Sequence, residues 1–294
     1  MERHIVFVYG TLRRHDSNSD LLKMSKLVYE QAYVKGSLYD TGLGYPALDF
    51  NGEDITYGEV YEVTNDVLYS LDVLEGYEEG RTNNLYDRKI VQVFTDESSI
   101  QAYVYTIAPS NRDLLKEKID NGDWKLYKFL NENPLTFMYF AYGSCMDTER
   151  FHEQGVRHLF ERVMGVGELQ NYTLCYSRHS HDGGRADIKE GTGYVEGILY
   201  LLPLEALHYL FDREGVHAQI YRPVFVDIEW NNQTLEDVLS FTVINKEEDI
   251  APPDHYALEI LRGAKGRVSD NYYQLLRKQM ADLGVDVRSI EEQI

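Results

Sequence analysis

The chain repeats itself, and that limits its fold more than any other feature. Phe7-Val8-Tyr9-Gly10-Thr11-Leu12 returns as Phe140-Ala141-Tyr142-Gly143-Ser144-Cys145. Leu43-Gly44-Tyr45-Pro46-Ala47-Leu48 lies where the second half has Gly183-Gly184-Arg185-Ala186-Asp187-Ile188. Gly58-Glu59-Val60-Tyr61-Glu62-Val63 answers to Gly197-Ile198-Leu199-Tyr200-Leu201-Leu202, and Leu71-Asp72-Val73-Leu74-Glu75-Gly76 to Leu210-Phe211-Asp212-Arg213-Glu214-Gly215. Leu85-Tyr86-Asp87-Arg88 answers to Ile220-Tyr221-Arg222. The separation drifts between 133 and 140 residues, as loop insertions would make it. Matching blocks in one order mean two copies of one fold, not one larger sheet.

Each copy reads the same way locally. An apolar strand opens it and ends in Tyr-Gly-(Thr/Ser). A β-rich stretch follows, around Ala32–Tyr39 or Gly165–Tyr176, then a strand around Tyr57–Val63 or Tyr194–Leu202. Apolar spacing predicts short helices over Asp66–Leu74 and Leu204–Phe211, each followed by a glycine suited to a helix stop. Two strands close each copy: Arg88–Phe94 and Gln101–Ile107, then Pro223–Trp230 and Glu236–Ile244. The expected class is α+β: two tandem copies of a small, mostly antiparallel β-barrel-like domain with short helices. Residues 1–133 form one domain and 134–294 the other, with Asn131-Glu132-Asn133-Pro134 at the boundary. Asn111–Leu130 reads as helix, and so does most of the extra tail, Pro252–Glu292.

Composition excludes several function classes. The net charge is −20 and acidic residues outnumber basic ones in both halves, which argues against DNA, RNA or an anionic membrane as partner. No apolar run approaches a bilayer span, and the N-terminal run is too short for a signal peptide. Two cysteines, Cys145 and Cys175, imply no disulfide framework and fit a reducing cytoplasm.

Two repeated features could carry chemistry. Tyr9-Gly10-Thr11-Leu12 and Tyr142-Gly143-Ser144-Cys145 each follow a β-rich run, and Gly there allows a sharp turn that leaves N–H groups free for a carboxylate or oxyanion. Glu75 and Glu214 recur at helix ends among apolar positions, where burial raises a carboxyl pKa into the range useful for acid–base work. Against each stands a plain reading: an ordinary glycine turn, and a solvated helix-end Glu. Cys145 could be a nucleophile with His179 or His181 as base, but its counterpart is Leu12, so a mechanism shared by both halves cannot use it. His179-Ser180-His181-Asp182 lacks a third ligand at a metal-site spacing and reads as a surface loop.

These motifs together resemble the γ-glutamylcyclotransferase-like superfamily over nearly the whole chain. The second half resembles γ-glutamylcyclotransferase proper, through Tyr139–Ser144, Gly183–Ala186, Glu214-Gly215-Val216, Ile220-Tyr221 and the tail motifs Pro252–Tyr256, Gly263-Ala264-Lys265 and Tyr272-Tyr273. The first half, with Tyr9–Arg13 and Leu71–Tyr77, resembles the γ-glutamylamine branch. The resemblance implies that the α-amino group of a small γ-glutamyl amide attacks its own γ-carbonyl, releasing 5-oxoproline and an amine or amino acid. It implies Glu75 and Glu214 as acid/base groups, the turns Tyr9–Leu12 and Tyr142–Cys145 as substrate cradles, Tyr256 as a substrate contact, and no cofactor or metal. Cys145 departs from the Asn usual there, and the first half has no counterpart of Tyr256. A module that binds γ-glutamyl ligands without turnover, and a thiol amidase using Cys145, are the competing readings.

Overall fold

The computed structural model describes residues 2–294. The chain divides into two compact units, Met1–Glu132 and Asn133–Ile294. The first contains β1 (Arg3–Val8), β2 (Lys26–Lys35), β3 (Ser37–Asp40), β4 (Pro46–Asp49), β5 (Ile55–Thr64), α1 (Asn65–Leu74), β6 (Tyr86–Thr95), β7 (Ser99–Ile107), β8 (Glu117–Lys118) and α2 (Trp124–Glu132). The second contains β9 (Thr136–Ala141), α3 (Thr148–Glu153), β10 (Val163–Ser180), β11 (Gly183–Pro203), α4 (Ala206–Glu214), β12 (Tyr221–Trp230), β13 (Gln233–Val243), α5 (Asp254–Ala264), α6 (Asp270–Asp282) and α7 (Val287–Glu291).

Each unit is a closed five-stranded barrel. The first runs β1-β5-β2-β6-β7 and the second β10-β11-β9-β13-β12, which is the same circle once β1 is matched to β9 and each later strand to its repeat. Neighbours pair antiparallel except at one seam. There β1 lies parallel to β7, with Val6 opposite Tyr103, and β9 parallel to β13, with Tyr139 opposite Leu239. The opening strands read as short apolar runs because their last three residues are buried in both units. Inside the first barrel Phe7, Val60 and Val104 are at most 1% exposed, and each such side chain contributes about 1.5–3 kcal/mol through burial.

Three differences separate the copies. The β-rich stretch around Ala32–Tyr39 is divided at Gly36 into β2 and β3; β4 and β8 pair with β3 in a small three-stranded sheet. In the second unit the equivalent strands run on unbroken as the hairpin β10–β11. The helix expected over Asn111–Leu130 is a correction. It is a 3-10 turn (Pro109–Leu114), then β8, then α2. Gly122 ends that span in the left-handed region (φ +65°) and its carbonyl accepts from Tyr57 N–H on β5, so the chain must leave the helical path there. The tail is helical as expected, and Ser269 caps α6 by accepting from Tyr272 N–H. Among the described residues no helix is long and apolar enough to cross a membrane.

Candidate active site

In both units the opening strand stops at the Tyr-Gly motif and the chain folds back on itself. Arg13 N–H donates to Gly10 O, and Met146 N–H donates to Gly143 O, at 3.0 Å each. The N–H groups of Thr11, Leu12, Ser144 and Cys145 find no acceptor among the described residues. All four residues line cavities. Donors left free at a cavity wall are satisfied by water or by a ligand, and two successive free amides suit an anion. The preceding tyrosines fix this turn. Tyr9 Oη donates to Tyr105 O (2.8 Å) and Tyr142 Oη to Phe241 O (2.7 Å), each across the parallel seam onto the closing strand.

The carboxyls arrive from the helix that follows the central strand. Thr64 caps α1 at its start, and Gly76 (φ +62°) and Gly215 (φ +63°) turn the chain out of α1 and α4 in the left-handed region. The residue just before each glycine is Glu75 or Glu214, and each lines the same cavity as its own Tyr-Gly turn. A second tyrosine faces it from the next strand: Tyr86 Oη donates to Pro46 O (2.9 Å) and Tyr221 Oη to Ala186 O (2.8 Å). The repeat block containing Tyr86 and Tyr221 was visible in the sequence, yet neither was given a role there.

The first cavity has a volume of about 180 Å³, and its walls include Phe7, Tyr9, Leu12, Tyr45, Leu74 and Tyr105, with no Arg or Lys. Glu75 has no hydrogen bond or ion pair to its carboxyl among the described residues, and burial alone pushes its pKa up to about 7. Burial likewise raises Tyr9 and Tyr86, with Glu75 adding to the shift, so both hydroxyls stay protonated donors. The turn is held from outside the cavity by Arg13, 4% exposed, whose Nε donates to Glu59 (3.1 Å) and Nη1 to Asp123 (2.8 Å). Arg14 N–H and Tyr61 Oη satisfy the other oxygen of Glu59.

The second cavity is larger, about 310 Å³, and far more polar. Arg213 lies where the first unit has Leu74, and Cys145 where it has Leu12. Arg213 Nε donates to Cys145 Sγ (2.9 Å) and lies 3.5 Å from Glu214 Oε1, while Nη2 donates to Ser144 Oγ (2.7 Å). Glu214, 17% exposed, is raised by burial, but Arg213, Arg150 and the Cys145 thiol 3.9 Å away pull it back. Burial also pushes the Cys145 thiol up despite Arg213, which keeps it protonated. Tyr256 on α5 enters this cavity: its Oη accepts from Ala186 N–H (3.2 Å) and its ring lies under the Arg185 guanidinium (4.9 Å). The tail also holds the turn, since Arg267 donates to Met146 O (2.6 Å) and Arg262 pairs with buried Asp147 (2.5 Å).

Both turns, both glutamates and Tyr256 thus fall into two cavities, one per unit. The histidines do not. His179 faces Glu247 and the Glu248 carbonyl, and His181 is 88% exposed. Neither lines the cavity, so Cys145 has no histidine base there. Arg150, Arg178, Arg185 and Asp212 do line it and were not foreseen.

Comparison with known proteins agrees with this arrangement. Residues 6–126 match the model described as gamma-glutamyl cyclotransferase, AIG2-like, and residues 194–276 match the AIG2-like family. YkqA of Bacillus subtilis, which carries the name of a candidate γ-glutamylcyclotransferase, is 41% identical over 284 residues, covering 95% of this chain and 98% of its own. The crystal structure of YkqA superposes with a TM-score of 0.87 at 39% identity, covering 96% of this chain and 99% of that one. The γ-L-glutamyl-butirosin B γ-glutamyl cyclotransferase of Niallia circulans is 39% identical over 124 residues, 42% of this chain and 76% of its own. The chain belongs to the AIG2-like γ-glutamylcyclotransferase family, as a member with two such domains in tandem.

Proposed function

We propose that each unit is a γ-glutamylcyclotransferase site that needs no cofactor. The substrate's α-amine attacks its own γ-carbonyl carbon, a five-membered ring closes, and the amide C–N bond breaks. 5-Oxoproline and an amine or amino acid leave. Glu75 in one unit and Glu214 in the other take the proton from the attacking amine and return one to the leaving nitrogen. The turns Tyr9–Leu12 and Tyr142–Cys145 hold the γ-glutamyl group through their free N–H groups, and Tyr256 adds a contact in the second.

One observation carries this reading: a buried carboxyl and a pair of unsatisfied amides share one cavity, and the arrangement occurs twice. The nucleophile is already tethered to its target, so holding it folded is worth about 7–11 kcal/mol of barrier. A base that titrates near neutrality, as Glu75 does at about 7, is matched to moving that proton. The test is 5-oxoproline release from a panel of γ-glutamyl amides by the wild type, Glu75→Gln, Glu214→Gln and the double variant. Turnover that survives the double variant removes the two carboxyls from the mechanism. A wild type that binds these compounds but releases no 5-oxoproline is a binding module.

A further inference from the structure

The second cavity carries a cation with no hydrogen-bond or ion-pair partner among the described residues. Of its four arginines, Arg150 pairs with Glu259, Arg185 with Asp182 (2.8 Å), and Arg213 is engaged by Ser144, Cys145 and Glu214. Arg178 lines the same wall from β10, partly buried, and makes no hydrogen bond or ion pair, with Asp212 or any other group among the described residues. Its cross-strand partner in the β10–β11 ladder is Arg185. Like charges directly opposite each other on a ladder are destabilising, so the strand pair alone gives no reason for Arg178. An anion entering the cavity does.

We propose that Arg178 is the ligand for a carboxylate on the leaving group, so that the second pocket selects γ-glutamyl amides of amino acids or peptides over those of uncharged amines. This rests on reading the pocket as a γ-glutamyl site. The assignment to the leaving group follows from the comparison between units. Both pockets must hold the γ-glutamyl end with its α-carboxylate, and the first does so with no cation in its walls. The added charge therefore serves what differs, the portion of substrate beyond the scissile amide. The larger volume, about 310 Å³ against about 180 Å³, leaves room for it.

The experiment compares γ-glutamyl-alanine with γ-glutamyl-alaninamide, which differ only in that carboxylate, in a Glu75→Gln chain. A charge-assisted contact predicts a kcat/KM preference for the acid of about 10- to 100-fold, mostly in KM. Arg178→Gln should erase it by weakening the acid alone, and Arg178→Lys should restore part. Equal losses for both compounds, or a preference that survives Arg178→Gln, would overturn the proposal. Calorimetric binding of the same pair to a Glu75→Gln, Glu214→Gln chain, with and without Arg178, separates the two readings. If the wild type makes no 5-oxoproline, the cyclotransferase reading fails and the binding ratio still decides the role of Arg178. If 5-oxoproline forms and neither ratio depends on Arg178, only this inference fails. Arg178→Gln should melt no lower than its parent, because it removes a like-charge pair; a lower melting point together with equal losses would mark a structural role.

Discussion

The two cavities share a skeleton and differ in their walls. Tyr9 and Tyr142, Tyr86 and Tyr221, and Glu75 and Glu214 occupy equivalent places, and the paired tyrosines make equivalent hydrogen bonds. Beside the carboxyl, the first unit has Leu12 and Leu74 where the second has Cys145 and Arg213. The means of holding the turn differ as well. A buried Arg13–Glu59–Asp123 network does it in the first unit, and the added helix α5 with Arg262 does it in the second. Duplication kept the backbone device that creates free amides facing a carboxyl, and it varied the charge and support around that device. The two pockets should therefore share a mechanism and differ in pH response and substrate.

The shared mechanism is the easiest part to break. Glu75→Gln and Glu214→Gln should each cost about 10²–10⁴-fold in kcat for the substrates handled by their own unit, with the other unit's substrates unaffected. Single-turnover assays on substrates sorted by leaving group would show it. Loss of every substrate in one single variant would mean that only one pocket works. The shared turn is next. A Cβ at Gly10 would lie 2.6 Å from the rigid Pro46 ring, whereas at Gly143 it would lie 3.1 Å from Ala186 Cβ. Gly10→Ala should destabilise the first unit by about 1–3 kcal/mol and Gly143→Ala should cost the second less, as read by urea unfolding. Equal costs would show that Pro46 yields.

The repeat blocks make both barrels readable in the sequence, because each block falls on a strand or a helix end that the barrel requires. The paired Glu-Gly motifs were legible for the same reason: Gly76 and Gly215 are needed at positive φ, so the residue before each is fixed in space. Arg178 was not legible, and Arg185 was legible only as part of the Gly183–Ala186 motif, with no role. Charged residues on strands read as solvated, and only the β10–β11 register brings the two opposite each other on a cavity wall. The path from Asn111 to Leu130 reads as helix, but partners distant in sequence break it: Lys116 and Ile119 N–H donate to Asp40 and Leu38 carbonyls beside β8, and Gly122 O accepts from Tyr57 on β5. His179 and His181 drew attention as a local cluster, but the hairpin end they occupy directs them away from the cavity.

Arg213 sharpens the difference in pH response. It opposes the burial that raises Glu214, and nothing opposes it at Glu75. The acidic limb of kcat/KM should lie near 7 for substrates of the first unit, and in the second Arg213 should hold it below where burial alone would put it. Arg213→Leu gives the second pocket the first pocket's residue and should move its limb upward. Arg213→Leu should therefore lose kcat/KM on the acidic side of the profile and little on the alkaline side. A profile that stays in place would make Arg213 a brace for Ser144 and Cys145 only.

The smallest effect concerns stability and should differ between the two units. Glu75 is protonated in the folded state up to about pH 7, while in the unfolded chain it ionises near 4.5. Below 4.5 both states are protonated and the residue costs nothing. As pH rises from there through 7, the folded state must hold a proton the unfolded chain releases, and then carry a charge in an apolar wall, so the first unit loses stability. Glu75→Gln should therefore leave stability unchanged near pH 4 and increase it above pH 7, by an amount on the order of 1 kcal/mol. In the second unit Arg213 and Cys145 already face the carboxyl, and Glu214→Gln removes their partner, so its gain should be smaller or negative. The chain's two tryptophans, Trp124 and Trp230, lie one in each unit, so single-tryptophan variants let fluorescence follow each unfolding separately. Equal gains in both units above pH 7 would show that Arg213 does not stabilise the ionised Glu214, and would remove the physical basis for treating the two sites as different.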